Sequence, residues 1–306
     1  MGLFQRVHPP ISQTEEVKQF FLRKGELPTF PAVAAEFMQL ANDPYASVMQ
    51  ISSTVERDPA LAAKTLKLAN SAYIGYSRQV STIREAIVLL GLREMRALVL
   101  TISVFRAFGD IQKTIPPVWE QYWIHSLAVA QTARRLARTL KVKEVEQAYL
   151  AGLLHDVGKL LYYLYDAKRY LKAIEECESV GDSLLEVERR TFGSTHPDLG
   201  AWLLELWNFP EALTEAVLYH ETPELAEPEM TLVGVTSLAE VLAKAQGLGI
   251  GDALPLDAVS LEQCPAWTML VQAQPNLTRV DMETFMRELS DLPEQVEAAV
   301  RELHIS

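Results

Sequence analysis

The sequence predicts an all-α fold, on three grounds. Apolar residues recur at helical spacing from Ala32 onward, and no run in the N-terminal half alternates with period two. Capping residues stand immediately before those periodic stretches, and glycines or prolines stand just after them. No segment repeats with a period of 20 to 50 residues, which argues against a solenoid.

Taken in order, residues 1–26 read as a polar arm ending in a short helix, Glu15 to Lys24, closed by Gly25. Leu27-Pro28-Thr29-Phe30-Pro31 is expected to be extended, because residues before proline avoid the helical region. A helix over Ala32 to Ala41 stops at Asp43-Pro44. Ser47 with Gln50 forms a capping box for the next helix, Asp58 with Pro59 starts another, and Thr82 with Glu85 forms a second box for a helix ending at Gly91. Arg93 to Phe108 is helical, and Gly109 to Pro117 reads as a linker between two helical layers. A long helix follows from Val118 to about Leu140, then one from Glu144 to Tyr165, and one from Tyr170 to Val180 closed by Gly181. Ser183 with Glu186 caps a helix to Phe192. Thr195 to Leu206, Glu211 to His220 and Met230 to Gln246 complete the set, and three weaker helical segments fill the tail. The resulting division is 1–26, 27–110, 111–250 and 251–306.

A chain of 306 residues, 49% hydrophobic and 22% charged, has the composition of a globular protein with an ample core. No apolar run approaches the roughly 20 residues that span a bilayer, so no membrane role is expected. The two cysteines are too few for a disulfide framework, and a cytoplasmic setting is the expectation. A net charge of −12 argues against nucleic acid as a partner, since such binding needs many cations on phosphates. Arg134, Arg135, Arg138 and Lys141 form one local basic strip, expected to be a solvated helix face.

His155 and Asp156 sit side by side in the apolar stretch Leu150 to Leu160. Burying both is costly unless a hydrogen-bond network or a metal ion satisfies them. Of six histidines, four (His125, His155, His196 and His220) fall in consecutive helical segments, and His8 is the only one that precedes them. A lone helical histidine is ordinarily satisfied by a carbonyl, and Asp156 can pair with Lys159 three residues on. Four together are what a helical bundle uses to hold a metal. Imidazole with carboxylate suits iron, manganese, zinc or nickel rather than calcium or magnesium.

These residues carry a resemblance. His125 followed by His155-Asp156-Val157-Gly158-Lys159 resembles the HD superfamily of metal-dependent phosphohydrolases. Leu27-Pro28-Thr29-Phe30-Pro31, Glu56-Arg57-Asp58-Pro59-Ala60-Leu61, Leu68-Ala69-Asn70-Ser71-Ala72 and Ala86-Ile87-Val88-Leu89-Leu90-Gly91 resemble the narrower HDOD family, the HD-related output domain of bacterial signalling. The resemblance covers about residues 27 to 250 and implies an HD-type helical domain preceded by a helical N-terminal subdomain. It implies a metal set of His125, His155, Asp156, His196, His220 and Glu240, holding one or two divalent transition-metal ions. Glu240, in Leu238-Ala239-Glu240-Val241-Leu242-Ala243, stands where the superfamily has its closing aspartate. Tyr219-His220-Glu221-Thr222-Pro223-Glu224 lacks the Gly-Tyr-Pro loop of the relatives that hydrolyse cyclic di-GMP.

The resemblance implies a regulatory output module that retains the metal site without strong catalysis, with a signalling protein as partner, a nucleotide or phosphate as a possible ligand and a homodimer as one possible state. The alternative is a metal-dependent phosphohydrolase acting on a nucleotide or phosphodiester. There the ions and Asp156 would activate a water, and Lys159 would neutralise a phosphate oxygen. The third reading is a helical adaptor whose histidines are core residues.

Overall fold

Short polar side chains cap six of the described helices in the computed structural model, at Ser47, Asp58, Thr82, Ser183, Thr195 and Asp281. It describes residues 15–76, 78–109, 111, 116–227, 231–249, 264–273 and 281–304. The N-terminal helices are α1 (Glu15–Lys24), α2 (Ala32–Asn42), α3 (Val48–Glu56), α4 (Pro59–Ala69) and α5 (Ile83–Ala107). They are followed by α6 (Pro116–Thr139), α7 (Val145–Leu154), α8 (Val157–Val180), α9 (Leu184–Phe192), α10 (His196–Leu206), α11 (Glu211–Tyr219) and α12 (Thr231–Ala245). The C-terminal part holds α13 (Pro265–Ala273), α14 (Met282–Glu288) and α15 (Leu292–His304). Among the described residues there is no strand, and no helix is long and apolar enough to cross a membrane.

The capping boxes at Ser47–Gln50 and Ser183–Glu186 both close, and Thr195–Asp198 adds one that the sequence reading did not name. The box expected at Thr82–Glu85 forms only in part. Thr82 accepts from the Glu85 amide, but the Glu85 carboxylate turns back to the Ser81 amide at 2.9 Å instead. Gly91, with φ of 87° and ψ of 161°, is non-helical within α5, so the helix expected to end there and the one expected from Arg93 meet at a kink.

A larger correction concerns the junction of α7 and α8. The reading placed His155 and Asp156 inside one helix from Glu144 to Tyr165, with a separate helix from Tyr170. The structure ends α7 at Leu154 and begins α8 at Val157, so the pair occupies the junction. The expected separation after Tyr165 holds: α8 is two helices joined at non-helical Asp166, whose carboxylate accepts from the Arg169 amide at 3.0 Å as the cap of the part that runs on to Val180.

Helices α6, α7 and α12 form the centre, with α6 packed on both others. Every α7 residue from Ala148 to Leu154 is buried, as are twelve residues of α12. A helix apolar all round must be enclosed on all sides. Helices α8, α10 and α11 close one flank, α2 to α5 pack together, α13 covers α12, and α15 lies on α6 and α4. The extended entry docks on the far end of α10, where the Trp207 indole donates to the Pro28 carbonyl at 2.9 Å and Phe30 meets Trp207 and Phe209. His8 and most of the Gly109–Pro117 linker lie outside the described residues.

The basic strip is a solvated face only in part: Arg138 and Lys141 are exposed, Arg135 is half-buried and Arg134 is buried. Arg134 is 3% exposed, stacks on the Tyr149 ring, and bonds Glu94 at 2.6 Å and Glu146 at 3.3 Å. Arg135 bonds the Glu288 carbonyl of α14, and Arg138 bonds Glu94. These residues tie α6 to α5 and to the C-terminal helices.

Close crossings put the junction in place. A Cβ on Gly152 would lie 2.8 Å from backbone atoms of α6, and one on Gly158 would lie 1.9 Å from the His196 carbonyl oxygen. Gly158 therefore lets the first turns of α8 and α10 touch backbone to backbone. Gly158→Ala is expected to cost about 3 kcal/mol or more, because neither backbone can yield, and urea denaturation would measure it.

Asp58 generates a second expectation. It caps α4 through the Leu61 amide at 3.0 Å and accepts from Arg106 at 2.6 Å. Burial works to raise its carboxyl, and the Leu61 amide and Arg106 outweigh it, leaving the group below its ordinary range. A depressed carboxylate adds stability above its unfolded pKa and loses it as pH falls through the folded value. Asp58→Ala should therefore cost about 1 kcal/mol near neutral pH, with the difference from wild type shrinking in the acid range below pH about 4 in thermal melts.

Candidate metal centre

Five elements deliver the six sequence-predicted residues to one place. His125 comes from the middle of α6, His155 and Asp156 from the α7–α8 junction, His196 from the start of α10, His220 from the end of α11, and Glu240 from α12. Their exposures are 0% for His155, Asp156 and His196, 1% for His125 and His220, and 3% for Glu240.

Helix ends fix two of the imidazoles. The last carbonyls of a helix lack intrahelical partners. His155 follows α7, and its Nδ1 lies 2.7 Å from the Gly152 carbonyl; His220 follows α11, and its Nδ1 lies 2.7 Å from the Val217 carbonyl. In each case the ring caps the helix that ends on it, three residues back. His125 is held from outside. Gly247, at φ of 76°, closes α12 in a Schellman turn, with the Leu248 amide bonded to the Ala243 carbonyl at 3.1 Å. That turn aims the Leu248 carbonyl at His125 Nδ1, 2.7 Å away. His196 is held by Glu188, whose Oε2 accepts from the His196 amide at 2.7 Å and from Nδ1 at 2.8 Å.

All four Nδ1 atoms thus face oxygen acceptors, so each carries the proton and Nε2 presents a lone pair in the neutral ring. The four Nε2 atoms point to a common centre. His125 and His155 bring theirs to 3.2 Å. Two bare lone pairs at that distance repel unless one ring takes up a second proton and donates to the other, or a metal cation lies between or beside them. Two nitrogens each about 2.0–2.1 Å from one tetrahedral ion would be about 3.3 Å apart.

Asp156 is the hub. Its Oδ2 lies 2.7 Å from Lys159 Nζ, 3.4 Å from His155 Nε2 and 3.6 Å from His125 Nε2. Its Oδ1 lies 3.2 Å from His196 Nε2 and 3.6 Å from His220 Nε2. Glu240 places Oε2 3.8 Å from His220 Nε2 and Oε1 2.8 Å from Lys244 Nζ. Burial alone would raise Asp156, but Lys159 and His155 hold it well below the usual carboxylate range. Burial opposes the charge on Glu240 likewise, and Lys244 and His220 overcome it. Burial lowers His125 to about 4, whereas Glu188 raises His196 to about 9 against its own burial.

Three buried atoms at the centre, Asp156 Oδ1, His196 Nε2 and His220 Nε2, have no aligned hydrogen-bond partner. Orphaned buried polar atoms are rare and costly, and they mark a place for an ion. Three ligand triads come within 4.8 Å mutually: His125 with His155 and Glu240, His155 with Asp156 and His220, and His196 with His220 and Glu221. The donor set fits a divalent transition metal.

Lys159 lies on Asp156 rather than facing outward, so the pair considered from the sequence forms, but buried. Sequence reasoning missed Glu188, which is 0% exposed and whose Oε1 accepts from Tyr170 at 2.7 Å. The signal was present: Glu188 stands four residues after Leu184 and four before Phe192, on the apolar side of α9. It also missed Glu221, which joins a triad without standing in the HD motif. No sequence signal pointed to the Leu248 carbonyl, which reaches His125 only through the turn at Gly247.

Glu188 has the place of a carboxylate that orients a metal-bound histidine. Glu188→Gln keeps the shape and can still accept from His196. It is expected to weaken metal binding about 10- to 100-fold in a chelator competition while leaving the far-UV circular dichroism unchanged.

Comparison with known proteins bears on this arrangement. Residues 27–223 match the HDOD domain. A solved HDOD domain protein of unknown function from Geobacter sulfurreducens is 27% identical, with a TM-score of 0.81, over 96% of this chain and 99% of that one. A structure from Shewanella amazonensis, described as a candidate phosphohydrolase, is 26% identical with a TM-score of 0.69, over 92% of this chain and 97% of that one. An uncharacterized protein of Treponema pallidum is 24% identical over 227 residues, 72% of this chain. The chain spans 42% of that relative's length.

Proposed function

The chain belongs to the HDOD family, and from that premise we propose a regulatory output module of bacterial signalling that retains an enclosed HD-type metal centre without strong catalysis. One observation carries this reading: none of the six candidate ligands is more than 3% exposed. Structural metal sites are closed by protein, whereas catalytic ones keep a position open to substrate. Lys159 and Lys244, 6% and 9% exposed, already neutralise Asp156 and Glu240, so protein cations occupy the places a phosphoryl group would need.

On this reading His125, His155, Asp156, His196, His220 and Glu240 hold one or two divalent ions, with Glu221 available at the edge. The metal fastens α6, the α7–α8 junction, α10, α11 and α12 to one point, so its binding free energy becomes folding free energy. A module of this kind would present a stable surface to a signalling protein, in the cytoplasm, as a monomer or homodimer.

The phosphohydrolase reading keeps one support, the 26%-identical structure described as a candidate phosphohydrolase. When bound, the metal would supply an activated water and polarise a phosphoryl oxygen. Asp156 would hold the ion, and Lys159 would have to leave Asp156 to meet a substrate oxygen.

Elemental analysis of protein purified without added metal is expected to find iron, manganese, zinc or nickel at one or two ions per chain. His155→Ala and Asp156→Ala should lose most of it, and stripping the metal should lower the melting temperature of the wild type. With manganese or ferrous iron added, hydrolysis of a generic phosphodiester should stay at the level of the metal-only blank. Turnover well above that blank, abolished by Asp156→Ala, would replace this reading with the phosphohydrolase.

A further inference from the structure

A second site lies away from the metal centre, where three parts of the chain meet. A cleft of 350 Å³ opens between the α4–α5 loop, helices α5 and α6, and Gln295 of α15. Its walls carry Arg134, Arg135 and Arg138, with Glu94 as the one lining carboxylate among the described residues, on a chain whose net charge is −12. Glu146 stands behind Arg134, and Asp291 lies 3.4 Å from Arg135 at the rim. A concentration of guanidinium groups against so acidic a background calls for an anion or a structural reason. The three arginines divide between these.

Arg134 is fixed. Its guanidinium sits over the Tyr149 ring, bonds two glutamates, and keeps a buried Nε with no hydrogen-bond partner. Arg138 is different: its side chain is 56% exposed, and it meets Glu94 at 3.2 Å, an oxygen pair that Arg134 also uses. Exposed ion pairs are worth about 0–1 kcal/mol, whereas arginine holds phosphate through paired, charge-assisted bonds. A phosphate can therefore take Arg138 over at little cost. Arg135, held by the Glu288 carbonyl and Gln295, supplies a second fixed cation.

The remaining wall is suited to a flat ring. Tyr76 is 50% exposed on the loop at the cleft, and the Gln131 amide lines the interior. Exposed aromatic faces stack bases, and side-chain amides bond their edges. The cavity, about 350 Å³, lies at the small end of the range for low-molecular-weight ligands.

We propose that this cleft binds a phosphate-bearing small molecule of the nucleotide class, its phosphate on Arg138 and Arg135 and its base on Tyr76. The ligand would bridge the N-terminal helices, α6 and α15, and α6 also carries His125, so occupancy would stiffen the frame that holds the metal centre. The proposal does not depend on a metal being bound.

Isothermal titration of the full chain with nucleoside mono- and diphosphates, the matching nucleosides and inorganic phosphate tests it. At least one nucleotide should bind, its unphosphorylated nucleoside should not, and raising salt should weaken the binding. Arg138→Gln and Tyr76→Ala alter exposed side chains and should each weaken it about tenfold or more, with melting curves confirming that both variants fold. Absence of binding at millimolar nucleotide, or binding that neither variant alters, would overturn the cleft assignment. Inorganic phosphate binding as tightly as every nucleotide would overturn the nucleotide class.

Discussion

A carboxylate with no access to water, surrounded by four imidazoles, is the constraint to which the rest of this molecule answers. Burying Asp156 alone would cost several kcal/mol. Lys159 neutralises one oxygen at 2.7 Å, and four Nε2 atoms crowd around both oxygens. That geometry is tolerable only because each ring is fixed from behind. Three rings use backbone carbonyls and the fourth uses Glu188, so the orientation of every imidazole is set by an atom outside the cluster.

The local chain geometry follows from that need. The break between α7 and α8 is what leaves the Gly152 carbonyl open for His155, and the end of α11 does the same for His220. Gly158 allows α8 to lie on the backbone at His196, which brings α10 close enough for its first residue to reach Asp156. At the far side, the Schellman turn at Gly247 returns a carbonyl to His125. Helix breaks and tight crossings that cost stability individually are thus concentrated where the buried charges have to be served.

The same helix, α6, carries two kinds of polar machinery. Near its middle His125 faces the enclosed centre, and three turns further on Arg134, Arg135 and Arg138 bind carboxylates and carbonyls of the N-terminal and C-terminal helices. One end therefore fastens the HD-type helices together, and the other fastens that assembly to its neighbours. An enclosed metal at one position and an exchangeable anion at the other would suit a protein that reports a state to a partner.

The sequence by itself determined the helical class, most helix boundaries and the identities of the clustered side chains. Those features rest on local rules: capping boxes at Ser47 and Ser183, stops at Gly25 and Gly181, and residue types that only a buried polar site explains. Tertiary structure decided the rest, because it depends on atoms distant in sequence. It placed His155 and Asp156 at a junction, recruited Glu188 to orient His196, and buried Arg134 on Tyr149 where helical spacing alone implied a solvated face. Enclosure of the centre belongs to the same class. Periodicity reports which face of a helix is apolar, but only the packing of α6, α7, α10, α11 and α12 together buries the six side chains.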